Sequence, residues 1–165
     1  MKKITIVRTL VCFVLLCMLS CPLTALAAEN TDGAALEQNA NNLKEDLFQL
    51  VNQKRAESGI PALTYDLSLE NTAAVRVQEV STSFLHTRLD GRHFSTALND
   101  CSVPFRRCAE VLAFNCTEPE QVLNVWLSSP LHCEAILSPK YTHMGISYCV
   151  TNDGQYFWTA HLTSQ

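Results

Sequence analysis

The segment from Tyr141 to His161 constrains the fold most tightly. Met144, Ile146, Tyr148 and Val150 alternate with small or polar residues, Tyr156, Trp158 and Ala160 keep the same spacing, and Thr151-Asn152-Asp153-Gly154 separates the two runs. A period of two sends successive side chains to opposite faces of a sheet. Two such runs flanking an Asp-Gly turn predict an antiparallel hairpin. A lone hairpin is marginal in water, so the remainder of the chain must cover it.

That remainder is mostly helical in period. Leu43, Leu47, Leu50 and Val51 predict a first helix closed by Gly59 and Pro61. Asp66 is placed to cap a second helix whose inner face carries Leu69, Ala73, Val77 and Val80. Periodicity fades from Ser81 to Arg107, a long connection of the kind that usually carries function. Ala109–Phe114 reads as a buried strand or a tight turn. Thr117-Glu118-Pro119-Glu120 predicts a capping box opening a helix with Val122, Val125 and Trp126 inside. Ser129-Pro130 predicts a short further helix, with Ser129 as its cap and His132 as its third residue.

Upstream of this lies an export signal. Lys2, Lys3 and Arg8 precede the apolar run Leu10–Leu19, and Ala25-Leu26-Ala27 is a small-x-small cleavage site. Cleavage after Ala27 is the expectation. Lipidation at Cys21 and an uncleaved anchor over Val11–Ala28 are the alternatives. Residues 28–42, polar and without apolar period, read as a flexible leader, and 43–165 as the folded domain. After cleavage about 138 residues remain, enough for one domain. Nine basic side chains then face 16 acidic ones, a net charge of −7. That balance speaks against nucleic acid and anionic lipid as partners, and no stable membrane insertion is expected once the signal is removed. Cys101, Cys108, Cys116, Cys133 and Cys149 stay, an odd number that allows at most two bridges within the chain. Cys101–Cys108, bracketing a short Pro-containing loop, is the expected pair. The alternative is that all five are reduced, small apolar core residues.

Three phrases carry the chemistry: FLHTRLDGR with His86, CAEVLA with Glu110, and WLSSPLHCEAIL with His132. Two imidazoles and a carboxylate can ligate a divalent metal or exchange protons. A helix-start position should lower the His132 pKa and keep its ring neutral. His93 and His143 read as structural or solvated, and His161 as a core or edge residue. Arg88, Arg92, Arg106 and Arg107 read as solvated charge or as an anion-lined rim.

In order and surroundings these phrases resemble those of the CAP superfamily, which comprises cysteine-rich secretory proteins, antigen 5 and pathogenesis-related proteins, and most of all its small bacterial SCP-like extracellular members. His86 matches the family's Phe/Leu-x-His-Thr-Arg loop, Glu110 its Gly-Glu-Asn phrase, and His132 its Trp-x-x-Ser-Pro-x-His phrase. Ala109 and Val111 stand where the family has Gly and Asn, and Cys133 where it has Arg. Ser129 occupies the place of the second Glu of animal and plant members, as in bacterial relatives. The resemblance implies an α+β fold, a three-layer α/β/α sandwich of the CAP type with a C-terminal antiparallel hairpin. It also implies a secreted or cell-surface protein whose cleft holds a divalent metal, zinc being the expected ion, through His86, His132 and Glu110. A protein, lipid or small-molecule ligand is a further expectation. The competing reading is a secreted hydrolase using Glu110 with His86 or His132, with or without a metal. HExxH is absent, and Ser129 as a cap leaves no evident nucleophile.

Overall fold

The computed structural model describes residues 24–164. The chain divides into two units, Met1–Ala34 and Ala35–Gln165; of the first, only the helical backbone from Thr24 is described. The expected cleavage signal lies largely outside the described residues. Among these residues no helix is long and apolar enough to cross a membrane.

Helix α1 (Thr24–Glu57) runs through the segment read as a leader, and Leu43 packs against the core. Its inner face then carries Leu47, Phe48 and Val51, all buried. Gly59, with φ +70°, ends it, and Ile60 N–H returns to the Arg55 carbonyl at 2.9 Å. Strand β1 (Thr64–Tyr65) follows, then α2 (Leu67–Thr82), where the Asp66 carboxylate accepts from Ser68 N–H and Leu69 N–H as its sequence position predicts. The connection holds α3 (Thr96–Asp100) and leads into β2 (Arg107–Phe114). Helices α4 (Pro119–Ser128) and α5 (Pro130–Ile136) precede the hairpin, β3 (His143–Val150) and β4 (Tyr156–Ser164).

The four strands form one mixed sheet in the order β1-β3-β4-β2. β1 runs parallel to β3, while β3–β4 and β4–β2 are antiparallel. The hairpin has the expected register, Ile146 opposite Ala160 and Tyr148 opposite Trp158. Alternation splits the sheet into two faces. Val111, Ala113, Met144, Ile146, Trp158, Ala160 and Leu162 form the main core with α1, α4 and α5. Leu112 and Phe157 point the other way, against Val77 and Val80 of α2. Helices on both faces of the sheet give the three-layer α/β/α arrangement.

Gly145 sets how closely α2 approaches. A Cβ there would lie 2.1 Å from the Glu70 amide nitrogen and 2.4 Å from the Leu69 carbonyl carbon. Only glycine admits the helix at this depth. A buried cation fastens the other layer: Arg55, 0 % exposed, donates to the carbonyls of Pro61, Ile136, Ser138 and Tyr141 at 2.7–3.2 Å. One guanidinium thereby joins α1, the end of α5 and the entry to β3.

Some local expectations are corrected. Glu118, not Thr117, is the N-cap of α4 and makes no side-chain cap bond; the Gln121 side chain accepts from Thr117 N–H at 3.0 Å instead. Val125 is exposed while Val122 and Trp126 are buried, because the inner face of α4 runs through 122 and 126 at i, i+4. Ser129 caps α5 by backbone geometry alone, with no bond from its hydroxyl. All five described cysteines are free. The Cys101–Cys108 bridge is not formed: Cys101 lies exposed at the end of α3, whereas Cys108 packs on Leu69, Phe94, Leu98 and Val103.

Candidate functional site

Glu110 sits in the middle of β2, directly opposite His161 of β4, and its side chain is fully buried. Each carboxylate oxygen accepts two hydrogen bonds. Oε1 takes Arg76 Nη2 at 3.1 Å and His86 Nδ1 at 3.0 Å; Oε2 takes Arg76 Nε at 2.8 Å and His161 Nε2 at 3.1 Å. A carboxylate offers about four acceptor positions, so this one is saturated. Burial acts to raise the Glu110 pKa, but the bonds from His161, His86 and Arg76 outweigh it and hold the group down at about 2.

An ionised carboxylate only accepts, and this fixes the protons around it. His86 carries its proton on Nδ1 and His161 on Nε2. Nε2 of His86 is therefore free of the carboxylate, on a ring whose side chain is 49 % exposed. His161, with no exposed surface, is held from behind by the Thr72 hydroxyl, 2.7 Å from its Nδ1. Burial lowers the His161 pKa, against the raising effect of Glu110.

Arg76 ties these parts together. Its guanidinium is buried, grips Glu110 with two N–H groups, pairs with Glu79, and donates to the Leu85 carbonyl at 2.9 Å. Leu85 immediately precedes His86, so one side chain fixes both the carboxylate and the backbone that carries the histidine. Arg88 then clamps the same loop to Glu79 of α2 and Asp100 of α3, and Arg92 pairs with Asp90 and Asp100. Arg88 and Arg92 are thus neutralised in place and form no anion-lined rim.

His132 comes from α5 and brings its ring within 5.8 Å of His86, centroid to centroid, at 71°. Its Nδ1 is buried without a hydrogen-bond partner. Its pKa is lowered as its helix-start position suggests, but burial is the main cause and the neighbouring His86 the next. Phe94 neighbours both rings, 6.4 Å from His86 and stacked on His161 at 5.9 Å.

The three residues singled out in the sequence therefore meet. His93 is exposed and His143 partly buried, outside this group. Arg76 is not singled out by the sequence, and His161, read there as a core or edge residue, is buried as a core residue but bonded to Glu110. Arg76 falls at the core spacing of α2, seven residues after Leu69, a signal that a charge is being taken inside. His161 falls on the sheet face shared with Glu110, which the alternation around Trp158 and Ala160 already indicates.

Metal ligation can be tested against these donors. Glu110 has no acceptor position left, which suits a carboxylate that orients an imidazole better than one that binds the ion. Among the described residues no three His, Cys, Asp or Glu side chains are grouped to hold a metal together. The pair His86 and His132 fits as two imidazole donors, one with its tautomer set by Glu110 and the other with an unpartnered nitrogen.

Comparison with known proteins agrees with this fold. The chain is 25 % identical over 129 residues to YkwD of Bacillus subtilis (strain 168), covering 77 % of this chain and 49 % of that protein; it spans about half the length of this relative. Among solved structures it superposes on an extracellular protein containing a SCP domain from Bacillus anthracis, with TM-score 0.70, 21 % identity, and 78 % of this chain and 42 % of that one covered. An outer surface protein from Borrelia burgdorferi gives TM-score 0.68 and 21 % identity, over 73 % of this chain and 91 % of the other. The CAP family profile, described as the cysteine-rich secretory protein family, matches residues 48–162, and the chain belongs to that family.

Proposed function

We propose that the protein is an exported binding module whose cleft takes a divalent metal ion, zinc in the first place, through His86 and His132, with Glu110 as the orienting carboxylate. The observation that carries this reading is the Glu110–His86 bond at 3.0 Å beside a second imidazole 5.8 Å away. A carboxylate behind a ligating histidine sets its tautomer and raises its basicity. Two histidines leave a tetrahedral ion short of ligands, so water or a bound molecule completes the shell and the affinity is moderate. The basic N-terminus, its apolar run and the Ala-x-Ala site support export, as do the surface and extracellular settings in which two solved neighbours are described.

The low pKa of Glu110 favours binding over hydrolysis. A carboxyl held near 2 is a weak base at neutral pH, far from the match that general-base catalysis needs. Calorimetric titration with zinc chloride tests the reading. One site in the wild type, lost in both His86→Ala and His132→Ala, is the expected result; equal heats from wild type and the double variant would sink it.

A further inference from the structure

His161 is absent from the three phrases that resemble the family's, yet it contributes one of the four hydrogen bonds that saturate Glu110. Its placement depends on three features of this chain. On β2 its direct neighbour is Glu110, and on β3 it is Gly145. The glycine lets α2 descend onto the sheet, and the Thr72 hydroxyl on that helix then reaches His161 Nδ1 at 2.7 Å. Phe94 stacks on the ring and closes it off.

We propose that His161 is a positioning residue for His86. Donating from Nε2 to Glu110 Oε2, and braced by Thr72 on its other nitrogen, it holds the carboxylate in the orientation that keeps the His86 proton on Nδ1 and leaves Nε2 unprotonated. Arg76 fills one position on each oxygen, and the two histidines fill one each of the remaining positions. Without His161 a buried lone pair on Oε2 goes unmatched. The carboxylate then turns toward whatever donor is nearest, and the contact at Oε1 is what yields. A free imidazole favours the Nε2–H form, so His86 drifts toward that form once Glu110 loosens.

The inference concerns the site proposed for metal but is tested on metal-free protein, so the two readings fail separately. Long-range ¹H–¹⁵N spectra of the imidazoles, recorded above the pH at which histidines protonate, report each tautomer. In the wild type His161 should be the Nε2–H form and His86 the Nδ1–H form; His161 found with its proton on Nδ1 alone overturns the proposal without any variant. His161→Gln keeps a donor at the Nε2 end, and His161→Asn keeps only the Thr72 end. Glutamine should preserve the His86 Nδ1–H form, whereas asparagine should shift most of His86 to Nε2–H. An unchanged His86 in folded His161→Asn, or equal loss in both variants, reduces His161 to a packing residue.

Discussion

Gly145 and Glu70 are in backbone contact across the layer boundary, with room for a hydrogen at Gly145 and for nothing larger. The obstructing atoms are main chain, which cannot swing aside as a side chain would. Gly145→Ala should therefore cost at least the 1–3 kcal/mol typical of overpacking. It should also move α2 away from the sheet and loosen the Thr72–His161 bond. Urea denaturation of the two proteins measures the first effect; a variant as stable as the wild type would mean that α2 sits farther out.

Stability should fall steeply in acid because of Glu110. Its folded pKa, about 2, lies below the ordinary value of 4.5. A depressed carboxyl stabilises the fold at pH above its unfolded pKa, and that contribution is lost as pH falls from about 4.5 to about 2, on the order of 3 kcal/mol in all. Glu110→Gln should flatten this acid limb. It should also destabilise at neutral pH by about 1–3 kcal/mol, since the buried Arg76 guanidinium keeps Glu79 but loses one of its two carboxylate partners and the amide mispairs with the donors around it. Four hydrogen bonds and full burial make Glu110 part of the fold as well as of the site. Denaturation curves for the two proteins between pH 2 and pH 7 decide it.

Arg55 should be among the least replaceable residues of the domain. Arg55→Lys keeps the charge but offers three donors in place of a planar fork, and four carbonyls depend on that fork. Each buried acceptor left unmatched costs about 1–3 kcal/mol, so Arg55→Lys should lose several kcal/mol and Arg55→Ala should scarcely fold. A thermal melt of Arg55→Lys near that of the wild type would contradict this.

The cysteines should differ sharply in reactivity. Cys101 is exposed, whereas Cys116 is buried and its thiol pKa is pushed up by that burial; burial raises Cys108 and Cys149 too. Thiolate is the reactive form. Brief alkylation of native protein, followed by mass spectrometry, should label Cys101 first and Cys116 only after denaturation. Recovery of a Cys101–Cys108 disulfide peptide would restore the bridge that the sequence suggests.

Much of this architecture is legible in the chain. The hairpin, the α2 face through Leu69, Ala73, Val77 and Val80, and the Pro130 helix all announce themselves through spacing. The site is legible in part, because His86, Glu110 and His132 sit in distinctive phrases. Arg76 and His161 are hidden for a physical reason: a charged or polar residue at a core position looks like an interruption until its partner is known, and both partners lie far along the chain. The capping of α4 escapes for a related reason. Thr117, Glu120 and Gln121 all offer side-chain oxygens near the helix start, and only the path of the chain decides which backbone N–H each one meets.

The Arg76–Glu110 pair also gives the domain a division of labour useful to a protein engineer. Its charges cancel inside the fold, and their geometry is set by α2 and β2, while His86 lies half in solvent on a loop. Libraries randomised at His86, Leu89 and Leu131, all at least 49 % exposed, should return mostly folded clones. The same diversity spent on the buried positions 76 and 110 should return mostly destabilised clones. Sequence change is tolerated at these exposed positions only while the buried carboxylate and its partners are kept constant.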